Sequence, residues 1–269
     1  MLKTEIRNPR TTHIDRMSTA EMLRVIQDEN INAAMSIEKA LGSIEKAIDA
    51  IAERMAKGGR LFYIGCGTSG RLGVLDASEC PPTYGVPYDL VVGIIAGGDD
   101  AIRRAVEGAE DSCEAGYHDV SVYKVTELDS VIGISVAGGA QYVLGAFAKA
   151  RESGALIISL TSNEDTPLER AADIGIVTDT GAEAITGSTR MKAGSAHKMV
   201  LNMISTAVMV KLGHVYENMM INLRPSNVKL RDRMIRILRE ITGFAYDECE
   251  KLLEENEFSL RRALKSQEK

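Results

Sequence analysis

The chain has 269 residues, a formal net charge of −6 and a pI near 5.4, which argues against nucleic acid or an anionic membrane as partner. Its 45% hydrophobic and 26% charged content is that of a soluble globular protein, long enough for one large α/β domain with a helical appendage. No Trp and 4% aromatics leave little to stack on a base. Four Cys and four His scattered without metal-type spacing point to no metal and no disulfide framework.

Residues 1–57 read as an N-terminal helical segment. Ser18-Thr19-Ala20-Glu21 is a capping box, and Ile37, Leu41, Ile44, Ile48, Ile51 and Met55 recur at helical spacing until Gly58-Gly59, which together predict an amphipathic antiparallel pair. Residues 58–224 then alternate short apolar runs with helical patterns. The runs are Leu61 to Ile64, Leu90 to Ala96, Val131 to Val136, Leu156 to Leu160 and Ile174 to Val177. Such alternation predicts a three-layer αβα architecture around a mostly parallel five-stranded sheet. A long helix capped by hydroxyls is expected from Ser188 or Thr189 to Leu212. A composition shift near Arg224-Pro225 opens a C-terminal helical appendage, 225–269. No signal segment and no run of membrane-spanning length is evident, so the expected location is the cytoplasm.

Two stretches carry chemistry. Gly65-Cys66-Gly67-Thr68-Ser69-Gly70-Arg71 leaves a strand and opens a helix, where glycines let the backbone approach an anion, amides point at it, and Thr68, Ser69 and Arg71 add donors. It lacks the Gly-Lys-Ser/Thr of a nucleotide loop and the third glycine of a dinucleotide loop, so a small phosphorylated metabolite fits best. Pro81-Pro82 is expected to break this helix just after Glu79, placing that carboxylate at a helix C-terminus, where the dipole favours the protonated form that a proton donor needs. A partner carboxylate is sought among Glu107, Glu110, Asp111 and Glu114, and the residue types alone leave that choice open. The second stretch, Thr186-Gly187-Ser188-Thr189-Arg190-Met191-Lys192, is another hydroxyl-rich helix start whose cations oppose the dipole unless an anion lies opposite. His197 reads as a packed histidine.

With these residues on view, Gly65 to Gly73, Asp76-Ala77-Ser78-Glu79-Cys80-Pro81-Pro82-Thr83, Ala105 to Ser112 and Thr186 to Gly194 resemble the N-acetylmuramic acid 6-phosphate etherases, a family built on the sugar-isomerase (SIS) domain. The similarity spans about Ile14 to Lys229. The resemblance implies a cytoplasmic homodimer without cofactor that cleaves the D-lactyl ether of a phosphosugar, with Glu79 as proton donor to the departing lactate and Glu110 as the second catalytic carboxylate. Phosphate and substrate contacts are expected from Gly67, Thr68, Ser69, Arg71, Gly138, Gly139, Ser188, Thr189, Arg190 and Lys192. One segment departs from the family's usual Ala-Ser-Gly-Arg-Thr-Pro-Tyr: here Val136-Ala137-Gly138-Gly139-Ala140-Gln141-Tyr142 keeps neither the hydroxyls nor the Arg. Two alternatives follow, a non-catalytic sugar-phosphate sensor resembling the glucokinase regulatory proteins, or a related lyase or isomerase with an altered substrate.

Overall fold

In the computed structural model, which describes residues 2–223 and 228–267, two N-terminal helices, α1 (Thr19–Met35) and α2 (Leu41–Ala56), lead into alternating strands and helices. These are β1 (Leu61–Gly65), α3 (Gly67–Tyr84), β2 (Val91–Ile95), α4 (Asp100–Arg103), α5 (Cys113–Val122), β3 (Ser130–Ile134), α6 (Gln141–Glu152), β4 (Leu156–Thr161), α7 (Pro167–Ala171), β5 (Ile174–Val177) and α8 (Lys192–Lys211). A two-stranded hairpin, β6 (Val215–Tyr216) and β7 (Met219–Met220), and three helices, α9 (Val228–Thr242), α10 (Tyr246–Glu255) and α11 (Leu260–Lys265), complete the chain. The composition shift expected at Arg224-Pro225 lies outside the described residues.

All five predicted strands form, every pairing is parallel, and their order is β2-β1-β3-β4-β5. Successive side chains alternate between faces, so Leu61, Tyr63, Ile132 and Ile158 pack with α2, α3 and α8, whereas Phe62, Ile64, Val131 and Ile157 pack with α5, α6 and α7. The order reverses direction between β1 and β3, and a sheet of this kind opens its ligand crevice at the carboxyl ends of those two strands. On the second face, α5 and α6 nearly touch: a Cβ on Gly116 would sit 1.8 Å from the carbonyl oxygen of Tyr142, and one on Gly145 1.8 Å from that of Cys113. At the opposite, amino-end edge of the sheet Asp129 accepts from Arg60 N–H (2.8 Å), Arg60 Nη2 (2.8 Å) and Thr126 N–H (2.8 Å). Burial pushes its carboxyl pKa up, but these bonds win and hold it below the usual range.

Three expectations need correction. Ser18 and Glu21 do form the capping box, but α1 and α2 each pack along α8 instead of against one another, α1 burying Glu29 and Ala33 while its Leu23, Ile31 and Met35 stay exposed. The prolines do not break α3. Pro81 and Pro82 remove two N–H donors and no more, Ala77, Cys80 and Tyr84 anchor that end in the core, and the helix stops at Gly85 (φ 66°), whose N–H returns to the Pro81 carbonyl at 2.9 Å. Finally, α8 starts at Lys192, not Ser188 or Thr189. Its cap is not a hydroxyl: the buried Glu183 carboxylate accepts from the N–H groups of Lys192 and Ala193, each at 3.0 Å. The C-terminal helices gather around a third apolar cluster that includes Met234, Leu238, Leu253 and Leu260, tied back by Arg261, which donates to the Leu212 and Gly213 carbonyls.

Candidate active site at the sheet's switch point

A crevice of about 240 Å³ opens where β1 and β3 end. One wall is Cys66, Gly67, Thr68 and Ser69; the other is Ser135, Val136, Ala137 and Ala140; Glu110 and Thr189 close it. The first N–H groups of α3 have no acceptor inside their helix, so they and the Thr68 and Ser69 hydroxyls make a cradle of donors that could receive an anion. Opposite, Gly138 takes a left-handed φ of 71°, and a Cβ there would meet Thr166 Cβ at 2.4 Å, so the turn demands glycine twice over. Its N–H is spent on Ser135, backbone and side chain, at 3.1 Å each. Among the described residues the amides of Gly139 and Ala140 have no acceptor, and with the Ser135 hydroxyl they are donors this wall can offer. Ser135 escaped the sequence reading, which ran the strand on to Val136; β3 in fact ends at Ile134, and the one hydroxyl in an apolar run was the signal.

A second cavity of about 160 Å³ adjoins the first and shares Cys66, Gly67 and Glu110 with it. Glu110 lies in a 3-10 turn, Ala109–Asp111, exposed to both spaces. Burial first, then the charges of Glu110 and Asp111, push the Cys66 thiol up to about 12, which keeps it protonated and unsuited to covalent catalysis. Among the described residues no cluster of three His, Cys, Asp or Glu comes together to hold a metal.

Against this geometry, the chain is 54% identical over 98% of its length to an N-acetylmuramic acid 6-phosphate etherase of Caldanaerobacter subterraneus subsp. tengcongensis, covering 86% of that protein. The chain belongs to the N-acetylmuramic acid 6-phosphate etherase family. Etherases from Clostridium beijerinckii (51% identical, 98% of this chain, 86% of that one) and Salmonella agona (47%, 98% and 89%) place it there equally. Residues 43–151 match the glucokinase regulatory protein N-terminal SIS domain and residues 113–210 the SIS domain. In fold it is similar to phosphoheptose isomerases from Francisella tularensis (TM-score 0.58, 18% identical, 72% of this chain and 100% of that one) and Neisseria gonorrhoeae (0.51, 16%, 71% and 98%).

Within this etherase-family chain the expected site residues are not all neighbours. Gly67, Thr68, Ser69, Glu110 and Thr189 meet at the crevice with the loop of Gly138 and Gly139, while Ser188 and the exposed Arg190 flank it. Arg71 lines the second cavity instead. Lys192 turns inward: it is buried, ion-paired with the buried Glu29, and donates to the Ala182 carbonyl at 2.8 Å, so its charge answers a carboxylate of the fold. Arg10 reaches the same Glu29 at 2.5 Å, which ties the N-terminal strap to α1 and to the loop before α8. Glu79 is exposed, lies inside α3 and not at its end, and the dipole argument that singled it out loses its geometric basis. It stands twelve residues beyond Gly67, about 18 Å along the helix axis at 1.5 Å per residue, well away from Glu110. Asp76, three residues earlier, serves the fold: it accepts from Tyr63 Oη (2.9 Å), Asn202 Nδ2 (2.6 Å) and Ser205 Oγ (3.2 Å), pinning α3 to α8. His197 is fully buried on α8, with Nε2 3.0 Å from Ser162 Oγ, and is packed as expected.

Proposed function

We propose that this chain is an N-acetylmuramic acid 6-phosphate etherase, a carbon–oxygen lyase that converts its substrate to N-acetylglucosamine 6-phosphate and D-lactate in amino-sugar recycling. The observation that carries the reading is Glu110, a carboxylate set on the rim of an anion cradle at the sheet's switch point, in a chain of this family. The phosphate is held by the α3 amides, Thr68, Ser69, Thr189 and the amides of Gly139 and Ala140. With the sugar ring open, the C1 aldehyde acidifies the C2 proton, and Glu110 removes it. The C3–O bond then breaks, lactate takes a proton as it leaves, and water adds to C3 while C2 regains its proton, so the net change is consumption of one water.

Glu79 is the proposed donor to lactate. Its place about 18 Å down α3 from Gly67 supports a homodimer in which a second copy brings Glu79 to the crevice. Exposed apolar groups on α1 (Leu23, Ile31, Met35) and on α3 (Leu75) support the same reading. The working location proposed is the cytoplasm; in the described residues no helix is long and apolar enough to cross a membrane.

A D-lactate release assay on N-acetylmuramic acid 6-phosphate tests this. Glu110→Gln is expected to lower kcat by about 10²–10⁴. Wild-type turnover by Glu110→Gln would remove it from the mechanism, and no lactate from the wild-type protein would remove the activity. Mixing Glu79→Gln with Glu110→Gln, each inactive alone, restores turnover if the site is shared between copies. No recovery after subunit exchange has been demonstrated overturns the shared site.

A further inference from the structure

The second cavity differs from the crevice beside it in presenting a cation. Its walls are methyl-lined, by Ala101, Ala105, Val106 and Ala109, and it holds one cation, Arg71. Arg71 spends its Nε on the Ile102 carbonyl at 3.0 Å, which orients the guanidinium and leaves the two η nitrogens without an acceptor among the described residues. Two carboxylates, Glu107 and Glu110, line the same space, yet neither forms an ion pair with Arg71. An anion entering beside them would be repelled without that cation.

The cavity touches the cradle along Cys66, Gly67 and Glu110, so a ligand whose phosphate lies in the cradle meets Glu110 at the junction and projects its next substituent into the methyl-lined space. The group that suits it must be small, carry a methyl and carry one carboxylate, since a free guanidinium fork matches a carboxylate in two parallel hydrogen bonds. An acetamido group supplies the methyl but no charge to answer Arg71.

We propose that this second cavity is the subsite for the lactyl arm of the substrate, with Arg71 pairing the lactyl carboxylate and so setting specificity for the muramyl over the glucosaminyl sugar. The proposal rests on the etherase reading and moves Arg71 from the phosphate, where its place in the loop had put it, to the opposite end of the ligand. It also gives Arg71 a role that Thr68 and Ser69, one turn earlier on the same helix, do not share.

Two variants and three ligands test it. Arg71→Met keeps the apolar stem and removes the guanidinium with its charge; Arg71→Lys keeps the charge and removes the fork. For lactate release from N-acetylmuramic acid 6-phosphate, Arg71→Met is expected to raise KM about ten- to a hundredfold, with Arg71→Lys between it and wild type. Calorimetric binding of N-acetylglucosamine 6-phosphate, which has a phosphate and no lactyl group, is expected to change less than about threefold in both, and serves as the check on folding. The lactyl-amide analogue is expected to bind wild type and Arg71→Met alike. Equal losses for both sugar phosphates would return Arg71 to the phosphate and overturn the proposal, as would an unchanged KM in Arg71→Met. If wild type releases no lactate, the etherase reading falls and the lactyl subsite with it; if wild type turns over normally and only the ligand discrimination fails, the subsite alone is overturned.

Discussion

The two walls of the crevice solve one problem by different means. After β1, the donors are side chains as well as amides: Thr68 and Ser69 stand in the first turn of α3. After β3, Ala137, Gly138, Gly139 and Ala140 contribute no side-chain donor, so beyond the Ser135 hydroxyl the wall depends on backbone amides. A wall of side chains tolerates small backbone shifts, since a hydroxyl can turn to find its acceptor. A wall of amides does not, because each N–H points where the chain points. The β3 wall must therefore be the better buttressed of the two, and it is: Ser162 N–H and Asn163 Nδ2 both bond the Val136 carbonyl, at 3.1 and 3.0 Å, and Ser162 in turn meets His197.

The strongest way to break this contrast is Gly138→Val. It forces a β-branched residue into a left-handed backbone and onto Thr166, and a stability loss of about 2–5 kcal/mol in denaturant unfolding is expected. Val at Gly139, which meets nothing within 4 Å, is expected to unfold close to wild type. A loss at Gly139 matching that at Gly138 would sink the account of the turn.

Next comes the buttress. Burial pushes His197 down to about 4, so the unfolded chain binds a proton near pH 6.5 that the folded protein refuses until about pH 4. Stability from this group is whole above pH 6.5 and declines as pH falls towards 4, by about 3 kcal/mol in all. Unfolding midpoints measured across that window should flatten in His197→Gln relative to wild type, and an identical slope in both proteins refutes the assignment.

On the β1 wall, the double change Thr68→Val with Ser69→Ala is expected to weaken N-acetylglucosamine 6-phosphate binding about ten- to a hundredfold in calorimetry, the worth of lost hydroxyl-to-charge bonds. Retained affinity would mean that amides suffice on both sides. The smallest effect sharpens the comparison by erasing it. Ala137→Ser returns one hydroxyl to the β3 wall and is expected to tighten phosphosugar binding a few-fold, less than a full charged bond because the amides already share the load. Weaker binding would place Ala137 outside the phosphate's reach.

How much of this was legible beforehand depends on the range of the forces involved. The five strands were visible because apolar runs bounded by glycines encode a buried parallel strand locally. The Gly67–Ser69 helix entry was visible because its pattern, glycine for close approach and hydroxyls for donors, is complete within one turn. The cap of α8 was not, since Glu183 reaches across nine residues to Lys192, and no local pattern marks a carboxylate as a helix cap at that distance. The hairpin β6–β7 was missed because two-residue strands carry no periodicity. The prolines misled because helix breaking is a local preference, and the packing of Ala77, Cys80 and Tyr84 overrode it.

By itself, then, the sequence determined the α/β alternation, the parallel sheet and the glycine- and hydroxyl-rich helix entry after β1, all of which follow from patterns of residues close in the chain. Tertiary structure decided which charges meet. It brought Glu110 to the cradle, left Glu79 about 18 Å down α3, turned Lys192 inward onto Glu29 and aimed Arg71 into the neighbouring cavity. Those outcomes depend on where a helix ends and on which distant carboxylate needs a cation. Both are set by packing through space.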